Sequence, residues 1–258
     1  MLILKLTIVP FFICLISLAG RKWGSGLAGL LAGFPVVAGP IVIFIALEQG
    51  TDFASISAIS ATSAVIILML FTISYSWASI KFNCPLSLFL SVVAWLISAY
   101  FLSTFSLNPM AAYAYAGLSL FITPFVLPNK KSNAPIETRL HDLPWRMLLG
   151  AFLTISVTTL ASHLGGVWSG IFAVFPVISL VLAVFIHLSQ GHYQVVKMFR
   201  GMIRGLYSFI TFFFMLAILW PQESVIKACT IAVIASISVQ GVVQWLIRTK
   251  FIKSLAKN

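Results

Sequence analysis

Acidic residues are scarce in this chain of 258 residues, which contains five Asp and Glu against sixteen Lys and Arg. Charged residues of both signs make up 8% of the chain and apolar residues 60%, whereas soluble domains have roughly 25% and 45–50%. This composition excludes an ordinary soluble domain. Because windows of about 20 apolar residues can span a bilayer, and several occur here, we predict an all-α polytopic membrane protein.

Cysteine is also rare, and Cys14, Cys84 and Cys229 stand apart from one another in the sequence. No CxxC pair or Cys/His cluster predicts a metal site, and no even set of cysteines predicts a disulfide framework. The motifs HExxH, GxSxG and the phosphate-binding glycine loop are absent. We therefore expect no metal, no cofactor and no catalytic residues, and an intramembrane enzyme is the least favoured functional hypothesis.

Nine apolar segments are separated by mostly short polar connections. The predicted spans cover residues 4–20, 25–47, 54–80, 85–106, 109–127, 145–162, 166–188, 199–220 and 225–247. Most Lys and Arg residues lie in the odd-numbered connections and the C-terminal tail, which places them on one side of the membrane. Because such connections stay cytoplasmic, we predict an outside N-terminus and a cytoplasmic C-terminus. The net charge of +11 then reflects orientation in the bilayer and predicts no nucleic-acid partner.

Residues 24–50 align with residues 165–191 without a gap, at an offset of 141. Eleven of the 27 aligned positions are identical, including Gly, Pro and Gln residues that an apolar composition alone does not explain. The offset also superposes span one on six, three on eight and four on nine, so span five has no counterpart. The chain crosses the membrane five times between a position in the first copy and the equivalent position in the second. Because five is an odd number, the second copy enters the membrane from the opposite face.

These observations predict about nine transmembrane helices arranged as two inverted four-helix repeats plus one linking helix. The first repeat covers residues 1–107 and the second covers 144–250. A linking helix and cytoplasmic loop occupy 108–143, and a basic cytoplasmic tail occupies 251–258.

Both copies carry a proline near the middle of their second span, at Pro35 and Pro176. Proline removes a helix hydrogen bond, and in lipid the freed carbonyl is tolerated only inside protein or beside a water-filled cavity. Breaks at corresponding positions of inverted halves indicate a transporter binding site. The alternative is an ordinary kink, with nearby small residues serving close packing. The predicted substrate-binding residues are Phe34, Pro35, Gly39, Pro40, Phe175, Pro176, Arg200 and Arg204.

Charged and titratable residues near the spans complete the candidate site. Arg200 and Arg204 lie four residues apart on one helix face, where they would attract an anion or, alternatively, extend to the interface and fix orientation. Glu48 and His187 are candidate coupling residues, since a histidine can relay protons near neutral pH. The alternatives are a surface carboxylate for Glu48 and an interfacial imidazole for His187.

The pattern [Ala/Ser]-Gly-x4-Phe-Pro occurs at 28–35 and again at 169–176. In the second span of a four-span unit, it resembles the GlpM-like family of small bacterial inner-membrane proteins. Residues 144–250 are closer to that family, with Gly150 and Ala151 in the first span and a basic start to the third. The resemblance implies a multi-pass protein of the bacterial inner membrane, made of two such units. The family is associated with exopolysaccharide production, which we do not transfer to this chain.

Two hypotheses of different class follow. The first is a secondary carrier for a small solute, with an anion favoured by the two arginines, or for a lipid-linked species. The second is a non-transporting scaffold or accessory subunit of envelope polysaccharide assembly. The lipid bilayer is the expected partner in both cases, and the sequence is compatible with a monomer or an oligomer.

Overall fold

A computed structural model describes the backbone of residues 2–36, 38–105, 107–129, 142–163 and 175–255. Side chains are described in these ranges except at residues 2–6, 41, 45, 158, 160–163 and 250–255. The described ranges contain helices and no strand, which confirms the all-α prediction. The helices are α1 (Leu2–Trp23), α2 (Ser25–Ala32), α3 (Ala38–Gln49), α4 (Thr51–Lys81), α5 (Cys84–Ser103), α6 (Pro109–Val126), α7 (Leu143–His163), α8 (Val177–Gln190), α9 (His192–Leu219) and α10 (Val225–Leu255).

Within the described ranges, five helices are long and apolar enough to cross a bilayer, namely α4, α5, α6, α9 and α10. The helices α3 and α8 and the first part of α7 are shorter apolar segments. This content fits a multi-pass helical membrane protein. Most of the polar connection between the predicted spans 109–127 and 145–162, and residues 166–174 of the predicted span 166–188, lie outside the described residues.

Two helices begin at an asparagine followed by an early proline. The side chain of Asn83 accepts a hydrogen bond from the Leu86 amide at 3.2 Å, and that of Asn108 accepts one from the Ala111 amide at 2.8 Å. Asparagine is a preferred N-cap, and proline is tolerated in the first turn because its missing N–H would have no helical partner there. These caps set the starts of α5 and α6, and the bounds of α6 match the predicted span at 109–127.

The helices α4 and α9 form the centre of the core. In their apolar windows, 61% and 67% of residues are buried, against 22% in each of α5, α6 and α10, which are therefore peripheral. The hydroxyl of Ser55 donates to the Ala217 carbonyl at 2.7 Å, whereas the ring of Tyr75 lies 5.9 Å from that of Phe199. Early residues of α4 thus contact late residues of α9, so the two helices cross antiparallel.

The helix α2 packs against α9 with the two backbones in direct contact. A Cβ built on Gly29 would lie 1.8 Å from the Met198 carbonyl oxygen, and one built on Gly201 would lie 1.9 Å from that of Gly26. Further along both helices, Gly33 and Gly205 approach each other in the same way. Small residues four apart allow this close approach in membranes. Because residue numbers rise together along the contact, α2 and α9 run parallel.

The helices α1 and α7 also pack antiparallel. A Cβ on Gly150 would lie 2.1 Å from Cδ1 of Ile13, and a guanidinium nitrogen of Arg21 lies 2.6 Å from a carboxylate oxygen of Asp142. Ile13 belongs to a small apolar cluster with Val9 and with Val181 of α8. This cluster joins the first helix of the chain to the residues that follow α7.

The helix ends recur at the 141-residue offset that relates the two sequence copies. The matched ends are the starts Leu2 and Leu143, Thr51 and His192, and Cys84 and Val225, and the ends Gln49 and Gln190. Between the matched helices, Gly50 has φ 89° and ψ 163°, and Gly191 has φ 78° and ψ 175°. This backbone region is accessible almost exclusively to glycine, so both copies make the same turn at the same place.

Candidate functional site

The predicted break at Phe34 and Pro35 is confirmed, because α2 ends at Ala32 and α3 begins at Ala38. Residues 33–36 form a turn in which the Pro35 carbonyl accepts a hydrogen bond from the Gly39 amide at 2.8 Å. Pro40 lies in the first turn of α3, where its missing N–H is tolerated. The break therefore separates two short helices that together replace one span.

A groove of about 690 Å³ lies beside this break, between α3, α9 and α10. Its lining is mostly apolar and carries no charged side chain among the described residues. The lining residues are Phe34, Pro35, Val36, Gly39, Pro40, Ile43, Ser208, Phe212, Val233, Ser236, Ile237, Gln240, Gly241 and Gln244. Four of the predicted substrate-binding residues thus share one cavity.

The α10 wall of the groove contains two glutamines whose amides lack partners. Both amide atoms of Gln240 and the amide nitrogen of Gln244 are buried and make no hydrogen bond with described residues. The two residues are four apart, so they lie on the same helix face one turn from each other. A buried amide without a partner costs about 1–3 kcal/mol. Polar groups held this way inside a membrane protein are candidate ligand contacts.

The groove opens sideways at the surface of the helix bundle. On its α10 wall, Val233 is 44% exposed and Ile237 is 66% exposed. The helix α10 is peripheral, and its outer residues are apolar, so this opening faces the hydrocarbon of the bilayer if α10 spans it. An apolar or amphipathic molecule could then enter from the lipid without crossing a charged surface.

The equivalent place in the second copy is filled by a tryptophan. The ring of Phe175 lies 4.9 Å from that of Trp95 at an interplanar angle of 80°, and Trp95 is 1% exposed. At the 141-residue offset, Trp95 of α5 corresponds to Ser236 of α10, and Ala99 corresponds to Gln240. Pro176, beside Phe175, is the residue before the first turn of α8. The lining of the groove includes neither Phe175 nor Pro176, so the structure does not bring the two breaks into one cavity.

The two predicted arginines lie outside the groove lining. A guanidinium nitrogen of Arg200 donates to the Leu127 carbonyl at 3.3 Å and also to the side chain of Asn129. These groups follow the C-terminus of α6, where a cation complements the helix dipole. Arg204, one turn later, is exposed. Arg200 thus has a structural role in joining α9 to α6, and the attraction of an anion by this pair stays a prediction.

The two candidate coupling residues are likewise separate from the groove. Nδ1 of His187 lies 3.3 Å from the hydroxyl of Tyr75, which is also 3.5 Å from the sulfur of Cys84. This hydrogen bond links α8 to α4. Glu48 is exposed near the end of α3 and makes no ion pair or hydrogen bond with the described residues. Their roles in coupling stay predictions.

Our sequence predictions did not include Gln240, Gln244 or Ser208. A usable signal was present, since Gln240 and Gln244 are two amides four residues apart inside an apolar segment. Their relation to Pro35 could not be read from the chain, because about 200 residues separate them.

Among the described residues, no group of three His, Cys, Asp or Glu is placed to hold a metal ion.

Comparisons with known proteins do not identify this site. The resemblance of both sequence copies to GlpM-like proteins, closer for 144–250, rests on a short motif and the spacing of spans, and it stays a prediction. Searches against protein-family models, curated proteins and solved structures find no match to this chain.

Proposed function

We propose that this protein is a secondary carrier built from two inverted four-helix halves, and that it moves an amphipathic or lipid-linked molecule through the groove at Pro35. The observation that carries the proposal is the unpartnered amide of Gln240, together with the unpartnered amide nitrogen of Gln244, in the wall of an apolar groove beside a broken helix. Broken helices that line cavities are a feature of transporter binding sites.

Two features support the inverted arrangement. Helix ends and the glycine turns at Gly50 and Gly191 recur at the offset of the sequence repeat. The equivalent helices α1 and α7 contact each other antiparallel, and so do α4 and α9. Antiparallel contact between equivalent helices is the arrangement expected for copies inserted from opposite faces.

The groove has the size and chemistry of a small-molecule site. Its volume of about 690 Å³ falls within the roughly 300–1,000 Å³ of ligand pockets. An apolar lining favours an acyl or prenyl chain. The amide atoms of Gln240 and the amide nitrogen of Gln244 are enclosed by protein, and a side-chain rotation toward the groove would let them bind an ester, amide or sugar hydroxyl. Since the described lining contains no cation, a lipid-linked species fits this groove better than a free inorganic anion.

The surroundings of the two helix breaks differ, so a molecule would reach the site from the side of only one of them in this conformation. In one half the space beside the break is open, and in the other Trp95 occupies it. Alternating access requires one group of helices to move relative to the rest. Because α2 of the first copy packs backbone to backbone against α9 of the second, these two helices would move together, and the moving group would include helices from both copies.

The first experiment identifies what the groove binds. We would place p-benzoylphenylalanine at Ile237, inside the groove, and in a separate variant at Ile234, which is 60% exposed on the same helix but does not line the groove. After irradiation in native membranes, mass spectrometry should find one discrete amphipathic adduct at Ile237 and bulk phospholipid at Ile234. Identical adducts at both positions would contradict the binding site.

The second experiment separates a carrier from a scaffold. Gln240→Leu should abolish saturable flux of the identified molecule in proteoliposomes while raising the free energy of unfolding by roughly 1–3 kcal/mol, because it removes unpartnered amide groups. Gln194→Leu is the matched control, since the amide oxygen of Gln194 accepts a hydrogen bond from Ser25 at 2.8 Å; this change should lower stability. A scaffold predicts no flux in the unmodified protein.

A further inference from the structure

Two arginines lie one helical turn beyond the groove at Pro35. On α9, Arg204 precedes Ser208 of the groove lining by four residues. On α10, Arg248 follows Gln244 of the lining by four residues. Residues four apart lie on the same helix face, separated by about 6 Å along the helix axis. Both arginines therefore continue the helix faces that form the groove.

The two arginines lie at the same end of the groove. The helices α9 and α10 pack against each other and are joined by the short connection at 220–224, so they run antiparallel. The turn before the lining of α9 and the turn after the lining of α10 are therefore at similar depth in the membrane. This end contains the start of α9 and the end of α10, which the charge pattern predicts on the cytoplasmic side.

A tryptophan indicates that this end of the groove lies at the membrane interface. Trp245 directly follows Gln244 and is 63% exposed. Tryptophan is enriched where the hydrocarbon of a bilayer meets the headgroups. A lipid whose chain occupies the apolar groove would therefore have its headgroup at the level of Arg248.

Both guanidinium groups are free to bind a ligand. Arg204 and Arg248 are exposed, and neither makes a hydrogen bond or an ion pair with a described residue. In contrast, Arg200, one turn before Arg204, donates to the Leu127 carbonyl. Arginine is well suited to phosphate because its N–H groups can bind two phosphate oxygens at once.

Arginines at the interface can also serve orientation in the membrane alone. That role requires a depth in the bilayer but no particular helix face. Arg204 and Arg248 both lie on faces that line the groove, on two different helices. Their position relative to Ser208 and Gln244 therefore favours a role in binding.

We propose that the groove binds a lipid with an anionic phosphate headgroup, whose chain lies along the apolar lining and whose phosphate lies between Arg204 and Arg248. This inference rests on the proposed function, because it names the substrate class of the same groove. A neutral lipid such as diacylglycerol would fill the lining equally well but would leave both guanidinium groups without a counter-charge.

The test uses the full-length protein with p-benzoylphenylalanine at Ile237, in nanodiscs of phosphatidylcholine that contain a minor fraction of deuterated phosphatidic acid or deuterated diacylglycerol with the same chains. Mass spectrometry after irradiation measures the deuterated adduct. One basic residue near a membrane surface strengthens anionic lipid binding about fivefold. We therefore expect at least about fivefold more adduct with phosphatidic acid than with diacylglycerol, and a loss of about fivefold in Arg204→Gln and in Arg248→Gln.

Three controls make the test selective. Lys81→Gln removes the same charge from an exposed residue at the end of α4, outside the groove, and should leave the adduct unchanged. Arg204→Lys and Arg248→Lys keep the charge and should retain most of the adduct. Millimolar inorganic phosphate should not displace phosphatidic acid, because a free ion gains nothing from the apolar lining.

The possible failures differ from one another. Equal adducts with the two lipids, no loss in either Gln variant, an equal loss in Lys81→Gln, or displacement by inorganic phosphate would each overturn the phosphate inference and leave the groove as a lipid site. If neither deuterated lipid labels Ile237 more than it labels the same probe at Ile234, both this inference and the proposed function are wrong.

Discussion

Replacing Gly29 by alanine tests the backbone contact between α2 and α9. The added Cβ would lie 1.8 Å from the Met198 carbonyl oxygen, 2.7 Å from its carbonyl carbon and 2.9 Å from the Met202 amide nitrogen. All three are backbone atoms, so no side-chain rotation can make room. The two helices must separate until the closest of these distances reaches at least 3.4 Å, where ordinary van der Waals contact begins.

This separation affects the whole contact because the other glycines share it. Gly33, Gly201 and Gly205 each place a built Cβ within 2.4 Å of a backbone atom of the opposite helix. Moving the helices apart would therefore weaken close packing along the full length of α2. Overpacking of a well-packed core costs about 1–3 kcal/mol, and we expect Gly29→Ala to lie at the upper end of that range or above it.

The assay is thermal and denaturant unfolding of the purified protein in one detergent, with Gly117→Ala as the matched control. Gly117 is also inside a helix, but a Cβ built there meets its nearest neighbour at 4.0 Å. Alanine should therefore be neutral or slightly stabilising at Gly117, since it is the better helix former. Equal stability of the two variants would refute the proposed backbone contact and the rigid pairing of α2 with α9.

Two further predictions follow from local geometry. Gly191→Ala should lower the free energy of unfolding by about 1–3 kcal/mol, because its backbone lies in a region that only glycine adopts readily; calorimetry in nanodiscs measures this, and a neutral result would contradict the turn. Arg200→Gln should increase the rate of proteolytic cleavage on the C-terminal side of Asn129, because it removes the hydrogen bonds from Arg200 to the Leu127 carbonyl and to the Asn129 side chain. Arg204→Gln, at an exposed position one turn later, is the control, and equal cleavage of both variants would exclude this role for Arg200.

The boundaries of many helices could be predicted from the sequence because they depend on local chemistry. The helix break at Pro35 lies among glycine and proline residues that favour it locally, and Asn108 followed by Pro109 begins a helix. The span predicted at 109–127 agrees with α6 to within a residue or two for this reason. The repeat at 141 residues aligns Gly50 with Gly191, and the structure shows that these two glycines share a backbone conformation.

The contents of the sites could not be predicted in the same way. Arg21 and Asp142 are 121 residues apart, and their ion pair depends on how α1 and α7 meet. The sequence suggested two symmetric breaks framing one site, but the structure places an open groove at one break and Trp95 at the other.

Composition by itself determined that this chain belongs in a membrane, since 60% apolar and 8% charged residues cannot cover a soluble surface. Asparagine caps at Asn83 and Asn108 and glycine turns at Gly50 and Gly191 set where several of its helices begin and end. Only the tertiary structure decided which side chains share a cavity, because that depends on which helices lie side by side. Gln240 lines a groove with Pro35, and Asp142 forms an ion pair with Arg21, because helices that are remote in the sequence lie side by side in the fold.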